Sequence, residues 1–310
     1  MRRFKNIVVL YECDRATLDR AATLAKQNRA RLTVVQVVGN PPDNWEHVEL
    51  GGKTLDLQKL VTNELENSLK EFVAPAKHER SRIATKLLTG IPSVEIIRDV
   101  IVSKRDLLIM TAEGKGGLKE RLFGSTSRHL LRQCPCPVWI MKPTRRERFR
   151  RIMAAVDPDP ENTVRDSLNA TILQLASSLA TQDNAELHVV HAWTLYGETL
   201  MGRPGVGMAE SEVRRLAQQE AEKHRRSLET LLTKHTGGMG ETHLIKGDAG
   251  SVIPQMAANN KVDLLVMGTV CRTGIPGFFI GNTAENILDK VDCSVLTVKP
   301  EGFQSAVKLI

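Results

Sequence analysis

Asp106-Leu-Leu-Ile-Met-Thr111 returns 157 positions later as Asp263-Leu-Leu-Val-Met-Gly268. The same spacing carries Gly124-Ser-Thr-Ser-Arg-His-Leu-Leu131 onto Gly281-Asn-Thr-Ala-Glu-Asn-Ile-Leu288, and Cys136-Pro-Val-Trp-Ile-Met-Lys-Pro143 onto Cys293-Ser-Val-Leu-Thr-Val-Lys-Pro300. A short apolar run is the pattern of a strand covered on both faces of a parallel sheet. Three landmarks in constant register mean that one fold unit has been duplicated.

Outward from these landmarks, strand and helix patterns alternate. Asn6–Tyr11 is a short apolar run, and Asp14–Asn28 then places Leu18, Ala21, Ala22, Leu24 and Ala25 at helical spacing. Leu32–Val38 reads as a second strand, Thr54–Ala74 as a helix striped by Leu57, Leu60, Val61, Leu65 and Leu69, and Ile83–Leu88 as a third strand. A helix over Ile91–Ser103 with Pro92 in its first turn, the Leu107–Met110 strand, a helix over Thr126–Gln133 and a Val138–Met141 strand complete the unit. The second half repeats this order from Arg151 to Val298. Its offset from the first half is only 145 at the opening strand (7 to 152), so about a dozen extra residues are expected around 158–173. Strands alternating with helices imply right-handed crossovers and a parallel sheet covered on both sides. The fold class is therefore α/β. Residues 1–143 form a first domain, 144–150 a linker and 151–310 a second domain, each a five-stranded, mainly parallel sheet flanked by helices.

Bulk composition agrees with a globular chain. Of 310 residues, 41% are hydrophobic and 25% charged, which leaves no room for extensive disorder. The apolar run at the amino terminus stops at Glu12 and Asp14, too short for a signal peptide, and nothing approaches the ~18 apolar residues of a membrane span. A cytoplasmic location is expected. Five cysteines, an odd number, argue for thiols, and Cys134-Pro-Cys136 lacks the second ligand pair of a zinc site. His188 and His191 sit three positions apart on a strand and point to opposite faces, so no metal site is expected there or elsewhere. Net charge is +7, much of it in Lys142–Arg151, which matches no nucleic-acid module and reads as a solvated connector; no specific nucleic acid is expected.

In an open α/β sheet, ligands bind beyond the carboxyl ends of the strands. That rule selects Glu12 and Asp157 after the first strand of each half, and the glycine-bearing loops after the fourth. Gly114, Gly124, Ser125 and Thr126 in one half, and Gly268, Gly281, Asn282 and Thr283 in the other, surround the start of a helix whose free amides attract an anion. Asp157-Pro-Asp-Pro160 is also a strong helix-start signal, and His191 reads as a structural histidine.

Met110-Thr-Ala-Glu-Gly-Lys-Gly-Gly-Leu-Lys-Glu-Arg-Leu-Phe-Gly-Ser-Thr-Ser127, closed by Cys134-Pro-Cys-Pro-Val-Trp139, resembles the signature of universal stress proteins, whose nucleotide-binding members carry Gly-x2-Gly-x9-Gly-Ser/Thr. Gly268-Thr-Val-Cys-Arg-Thr-Gly-Ile-Pro-Gly-Phe-Phe-Ile-Gly-Asn-Thr-Ala-Glu285 is similar to the tandem members of that family. The resemblance implies two Rossmann-like domains paired as an intrachain pseudo-dimer through their fifth strands, with a further homodimer open. It implies as ligand an adenine nucleotide, ATP or AMP, or another phosphorylated small molecule, and a protein partner in a stress response. Neither half keeps the whole pattern. Thr111 stands at the leading glycine of the first and Glu12 at the acidic position; Cys271 stands at the second glycine of the other, and Asn282 follows Gly281. The two sites should therefore not bind alike, and the choice between halves stays open.

Three functions follow. A non-catalytic nucleotide-sensing module is favoured, because neither loop carries a Gly-Lys-Ser/Thr or a carboxylate pair for magnesium. The alternatives are a slow ATPase or nucleotidyl-transfer enzyme, and a stress-response scaffold that binds no nucleotide or an apolar ligand beneath the loops 40–52 and 197–207.

Overall fold

The duplication in the sequence is a duplication of backbone. The computed structural model describes residues 4–40, 48–50, 53–55, 57–76, 83–112, 124–143, 148–159, 161–201, 208–269 and 281–309. Gly114 and Cys271, most of the 144–150 linker and most of the two candidate lid loops lie outside them. Contacts group the described residues into two compact units, an N-terminal unit of 4–143 with 303–309 and a C-terminal unit of 148–302.

The N-terminal unit contains β1 (Asn6–Leu10), α1 (Arg15–Asn28), β2 (Arg31–Val38), β3 (Val48–Leu50), β4 (Lys53–Leu55), α2 (Leu57–Val73), β5 (Ile83–Thr89), α3 (Pro92–Val102), β6 (Leu107–Thr111), α4 (Ser125–Gln133) and β7 (Val138–Met141). The C-terminal unit contains β8 (Arg151–Ala155), α5 (Thr163–Asp183), β9 (Glu186–Trp193), α6 (Glu198–Met201), α7 (Glu210–Thr236), β10 (Glu241–Lys246), α8 (Ala249–Asn259), β11 (Leu264–Gly268), α9 (Asn282–Lys290) and β12 (Ser294–Val298). In the first the main strands lie in the order β5-β2-β1-β6-β7, in the second β10-β9-β8-β11-β12. All eight pairings within these two runs are parallel. The chain order 3-2-1-4-5 reverses between the first and fourth strands, so each unit has its switch point at β1/β6 or β8/β11.

Small backbone devices recur with the sequence. Arg29 and Asn184 both end the first helix of their unit in the left-handed conformation, at φ 52° and 55°. Lys104 and Lys261, at φ 50° and 49°, do the same before the fourth strand. Gly90 (φ 135°) and Gly247 (φ 149°) make the turn from the third strand into the following helix, and a Cβ at Gly247 would lie 2.8 Å from Val252 Cγ2. The acid that opens the repeated motif has a defined task. Asp106 accepts the backbone N–H of Lys5 at 2.6 Å and of Asn6 at 2.9 Å, while Asp263 accepts those of Arg150 and Arg151 at 2.7 and 3.1 Å. Each carboxylate pins the start of the neighbouring first strand.

The extra residues of the second half lie where the offset places them. α5 has 21 residues against 14 in α1, and the offset has reached 155 by β2 and β9. Two details differ from the sequence pattern. The α2 helix begins at Leu57 rather than Thr54, because Lys53–Leu55 pairs antiparallel with Val48–Leu50. Of its apolar stripe, Leu69 is buried while Leu60 and Val61 remain half exposed. The four described cysteines are buried and form no disulfide, and Cys134 and Cys136 share a thiol hydrogen bond with their sulfurs 3.5 Å apart. At Cys13, burial and the neighbouring Asp14 push the thiol up to about 12, which makes it a poor nucleophile. Among the described residues no helix is long and apolar enough to cross a membrane.

Candidate functional site

At the β8/β11 switch point of the C-terminal unit, the strand ends open into a cavity of about 410 Å³. Its walls come from four segments: the exit of β8, the first turns of α5, the end of β11 and the start of α9, with Ala249 and Ile253 of α8 closing one side.

The β8 exit is held rigidly. Asn169 is 2% exposed; its Oδ1 accepts the Asp157 N–H at 3.0 Å and its Nδ2 donates to the Asp157 carbonyl at 2.8 Å. This two-bond clasp fixes the backbone and leaves the Asp157 carboxylate facing the cavity. Arg165 Nη1 stands 2.8 Å from Asp159 and 3.6 Å from Asp157. Its helix is capped by Asn162, whose side chain accepts the Arg165 N–H at 3.1 Å. Asp157 and Arg165 are the only ionisable side chains among the described residues that line the cavity.

Gly268 ends β11 beside Leu168. A Cβ here would lie 2.8 Å from Leu168 Cδ2, so any larger residue drives Leu168 into the space it now borders. Beyond it, Gly281 is the N-cap of α9 with φ −62° and ψ 142°, and as a glycine it brings no capping side chain. The first intrahelical bond is donated by Glu285 to Gly281 O at 3.0 Å. The amides of Asn282, Thr283 and Ala284 therefore have no intrahelical acceptor and, with the helix dipole, give this wall a positive potential. All three residues line the cavity.

A second cavity of about 600 Å³ adjoins the first and shares Asp157, Arg165 and Thr283 with it. His191 borders this second space, 2% exposed, with Nδ1 3.1 Å from Val156 O and Nε2 2.8 Å from His224 Nδ1. It is a satisfied histidine on a different face of β9 from His188, which instead meets His243 at 3.1 Å.

The N-terminal unit places the corresponding residues differently. Thr111 stands where Gly268 stands, and its hydroxyl accepts the Asp14 N–H at 3.2 Å and bonds Thr17 Oγ1 at 3.0 Å. The strand end is thus tied to the first turn of α1. Glu12 is exposed, and the side chain of Asp14, two residues on, caps α1 by accepting the Thr17 N–H at 2.8 Å. Gly124, Ser125 and Thr126 open α4 as Gly281, Asn282 and Thr283 open α9, with Gly124 as an N-cap at φ −71°. Of the residues singled out in sequence, Asp157, Gly268, Gly281, Asn282 and Thr283 come together around one cavity. Sequence patterns did not single out Asn169 or Arg165; only the extension of the first helix in the second half pointed to their neighbourhood.

The model of the Universal stress protein family matches residues 3–142 and again 148–299. The chain belongs to the universal stress protein family. Universal stress protein E of Escherichia coli K12 is 31% identical over 219 residues, covering 70% of this chain and 68% of that protein. Among solved structures, a protein of unknown function from Pseudomonas aeruginosa PAO1 superposes with a TM-score of 0.71 at 25% identity, covering 97% of this chain and 94% of the other. A putative universal stress protein from Pseudomonas aeruginosa UCBPP-PA14 superposes equally well, with 25% identity and 97% and 95% coverage. This universal stress protein is thus a tandem one, with the family's α/β fold in both halves.

Proposed function

We propose that this universal stress protein binds an adenine nucleotide in its C-terminal unit and acts as a non-catalytic sensing module. One observation carries the reading: a single cavity of about 410 Å³ is lined at once by a carboxylate, Asp157, and by the start of α9, whose first amides have no intrahelical acceptor. That volume lies within the ~300–1,000 Å³ of small-molecule sites. Phosphate oxygens fit the α9 amides and the Asn282 and Thr283 side chains; Asp157 accepts hydrogen bonds from ribose hydroxyls; Leu168, Ala249 and Ile253 offer an apolar wall to a base. Glu12, Gly124, Ser125 and Thr126 are the weaker counterpart in the N-terminal unit, where Thr111 ties off the strand end.

The test is calorimetry on the full chain with ATP and with inorganic triphosphate. Asp157→Ala should weaken ATP by more than ~10-fold, about 1.4 kcal/mol, and leave triphosphate binding unchanged. Equal ATP affinity in wild type and variant would contradict the site.

A second reading, slow hydrolysis, is favoured by the adjoining cavity of about 600 Å³, whose lining includes Asp157, Asp159, Asp248 and His224. Magnesium-dependent phosphate release that disappears in His224→Ala supports it; no release, with ATP bound, supports the sensing module.

A further inference from the structure

The duplicated fold exposes a substitution of charge at the opposite end of the C-terminal sheet. In the N-terminal unit, the corner where β2, β5 and α3 meet is filled by a buried ionic network. Arg105 donates to Asp99 Oδ2 at 3.0 Å, to Asn6 Oδ1 at 2.9 Å and to Thr33 Oγ1 at 2.8 Å, while Lys86 reaches Asp99 Oδ1 at 2.6 Å. The C-terminal unit rebuilds this corner with other chemistry. Positions 86, 99 and 105 become His243, Met256 and Val262 at the offset of 157, and Thr33 becomes His188 at the offset of 155 that β2 and β9 keep. Strand register confirms the correspondence: Thr33 pairs with Ala84, and His188 pairs with Glu241. Both cationic side chains of the first network are gone, and two imidazoles and a carboxylate have taken their surroundings.

Those three groups converge. His188 Nδ1 lies 3.1 Å from His243 Nε2 and 3.5 Å from Glu241 Oε2, and Glu241 Oε1 lies 3.8 Å from His243 Nε2. A tetrahedral ion with bonds of about 2.0–2.2 Å holds its ligand atoms about 3.3–3.6 Å apart; the separations here, 3.1, 3.5 and 3.8 Å, straddle that range within a few tenths of an ångström. Parallel pairing explains the geometry, since His188 is opposite Glu241 and His243 follows two residues on along the same face of β10. An independent observation concerns the far nitrogen of His188. That residue is 5% exposed, and its Nε2 has no hydrogen-bond partner among the described residues, with Glu186 Oε2 next nearest at 3.9 Å. A proton shared between the two imidazoles leaves Nε2 buried and unsatisfied in either tautomer. An ion on Nδ1 fixes the proton on Nε2, on the side where Glu186 Oε2, itself held by Arg151 at 2.8 Å, lies 3.9 Å away.

We propose that His188, His243 and Glu241 form a site for a zinc-class divalent cation, which supplies the positive charge that Arg105 and Lys86 supply in the N-terminal unit. Two nitrogens and one carboxylate oxygen are a zinc donor set with a fourth position left for water. Glu241 is 68% exposed, so the ion enters directly from solvent. The site ties edge strand β10 to β9. It lies about 16 Å along β9 from the nucleotide crevice, five residues at ~3.3 Å each from His188 to Trp193. The sequence alone paired His188 only with His191, because its partner is 55 residues away.

The experiment uses the chelator-treated full chain titrated with Zn²⁺ by calorimetry, and with Co²⁺ followed by visible absorption. Wild type should bind zinc and raise its thermal midpoint, and the cobalt form should show ligand-field bands of a tetrahedral nitrogen–oxygen site. His243→Ala and the exposed Glu241→Gln should each weaken zinc by at least about 10-fold. A wild type that binds no zinc, zinc affinity unchanged in Glu241→Gln, or a sulfur-to-cobalt charge-transfer band placing the ion on the thiols would overturn the proposal.

Discussion

At the scale of single residues, the repeated aspartate separates a fold signal from a functional one. Asp106 and Asp263 open the stretch that reveals the duplication, yet each works on backbone amides at the start of a neighbouring strand, away from the crevice. Hydrogen bonds to a charged group contribute about 1.5–3 kcal/mol, so Asp263→Ala should destabilise the C-terminal unit by that amount in urea unfolding and leave nucleotide affinity unchanged. Gly268 behaves in the opposite way. Gly268→Thr, which copies Thr111, puts a Cβ 2.8 Å from Leu168 and pushes that side chain into the cavity. Overpacking costs about 1–3 kcal/mol, and here the loss should be seen in ATP calorimetry as well as in the unfolding midpoint.

At the scale of elements, the buried network between β5, α3 and β6 sets the acid stability of the N-terminal unit. Burial of Asp99 opposes its charge, but the hydrogen bonds from Lys86 and Arg105 more than offset this and hold its carboxyl below the ordinary 3.8. A carboxyl with a lower value folded than unfolded stabilises the fold above the unfolded value, and that stability is lost as pH falls through the folded value. Asp99→Asn should therefore flatten the fall in stability as pH drops below about 4, and Asp99→Ala should cost about 3–5 kcal/mol at neutral pH, because Arg105 is left buried without its carboxylate. Urea midpoints across pH give both values. Elements were also where the sequence was most legible. Apolar runs at 106–111 and 263–268 and the helical spacing of 14–28 report burial that the parallel sheet imposes locally. Arg165 and Asn169 were not legible, because what gives them their roles is the closeness of α5 to the β8 exit. The His188–His243 contact was hidden for the same reason, being made by strand pairing across 55 residues.

At the scale of the whole molecule, duplication has been followed by divergence in two places. One is the switch point, open at Gly268 and tied off at Thr111. The other is the sheet corner, ionic around Asp99 and histidine-lined around His188. The central claim is that nucleotide belongs to the C-terminal unit. It is tested most directly by ATP calorimetry on the full chain with one glycine at a time replaced at the two equivalent helix starts. One ATP per chain is predicted, abolished in Gly281→Trp and retained in Gly124→Trp. Binding that survives Gly281→Trp and vanishes in Gly124→Trp would contradict the account.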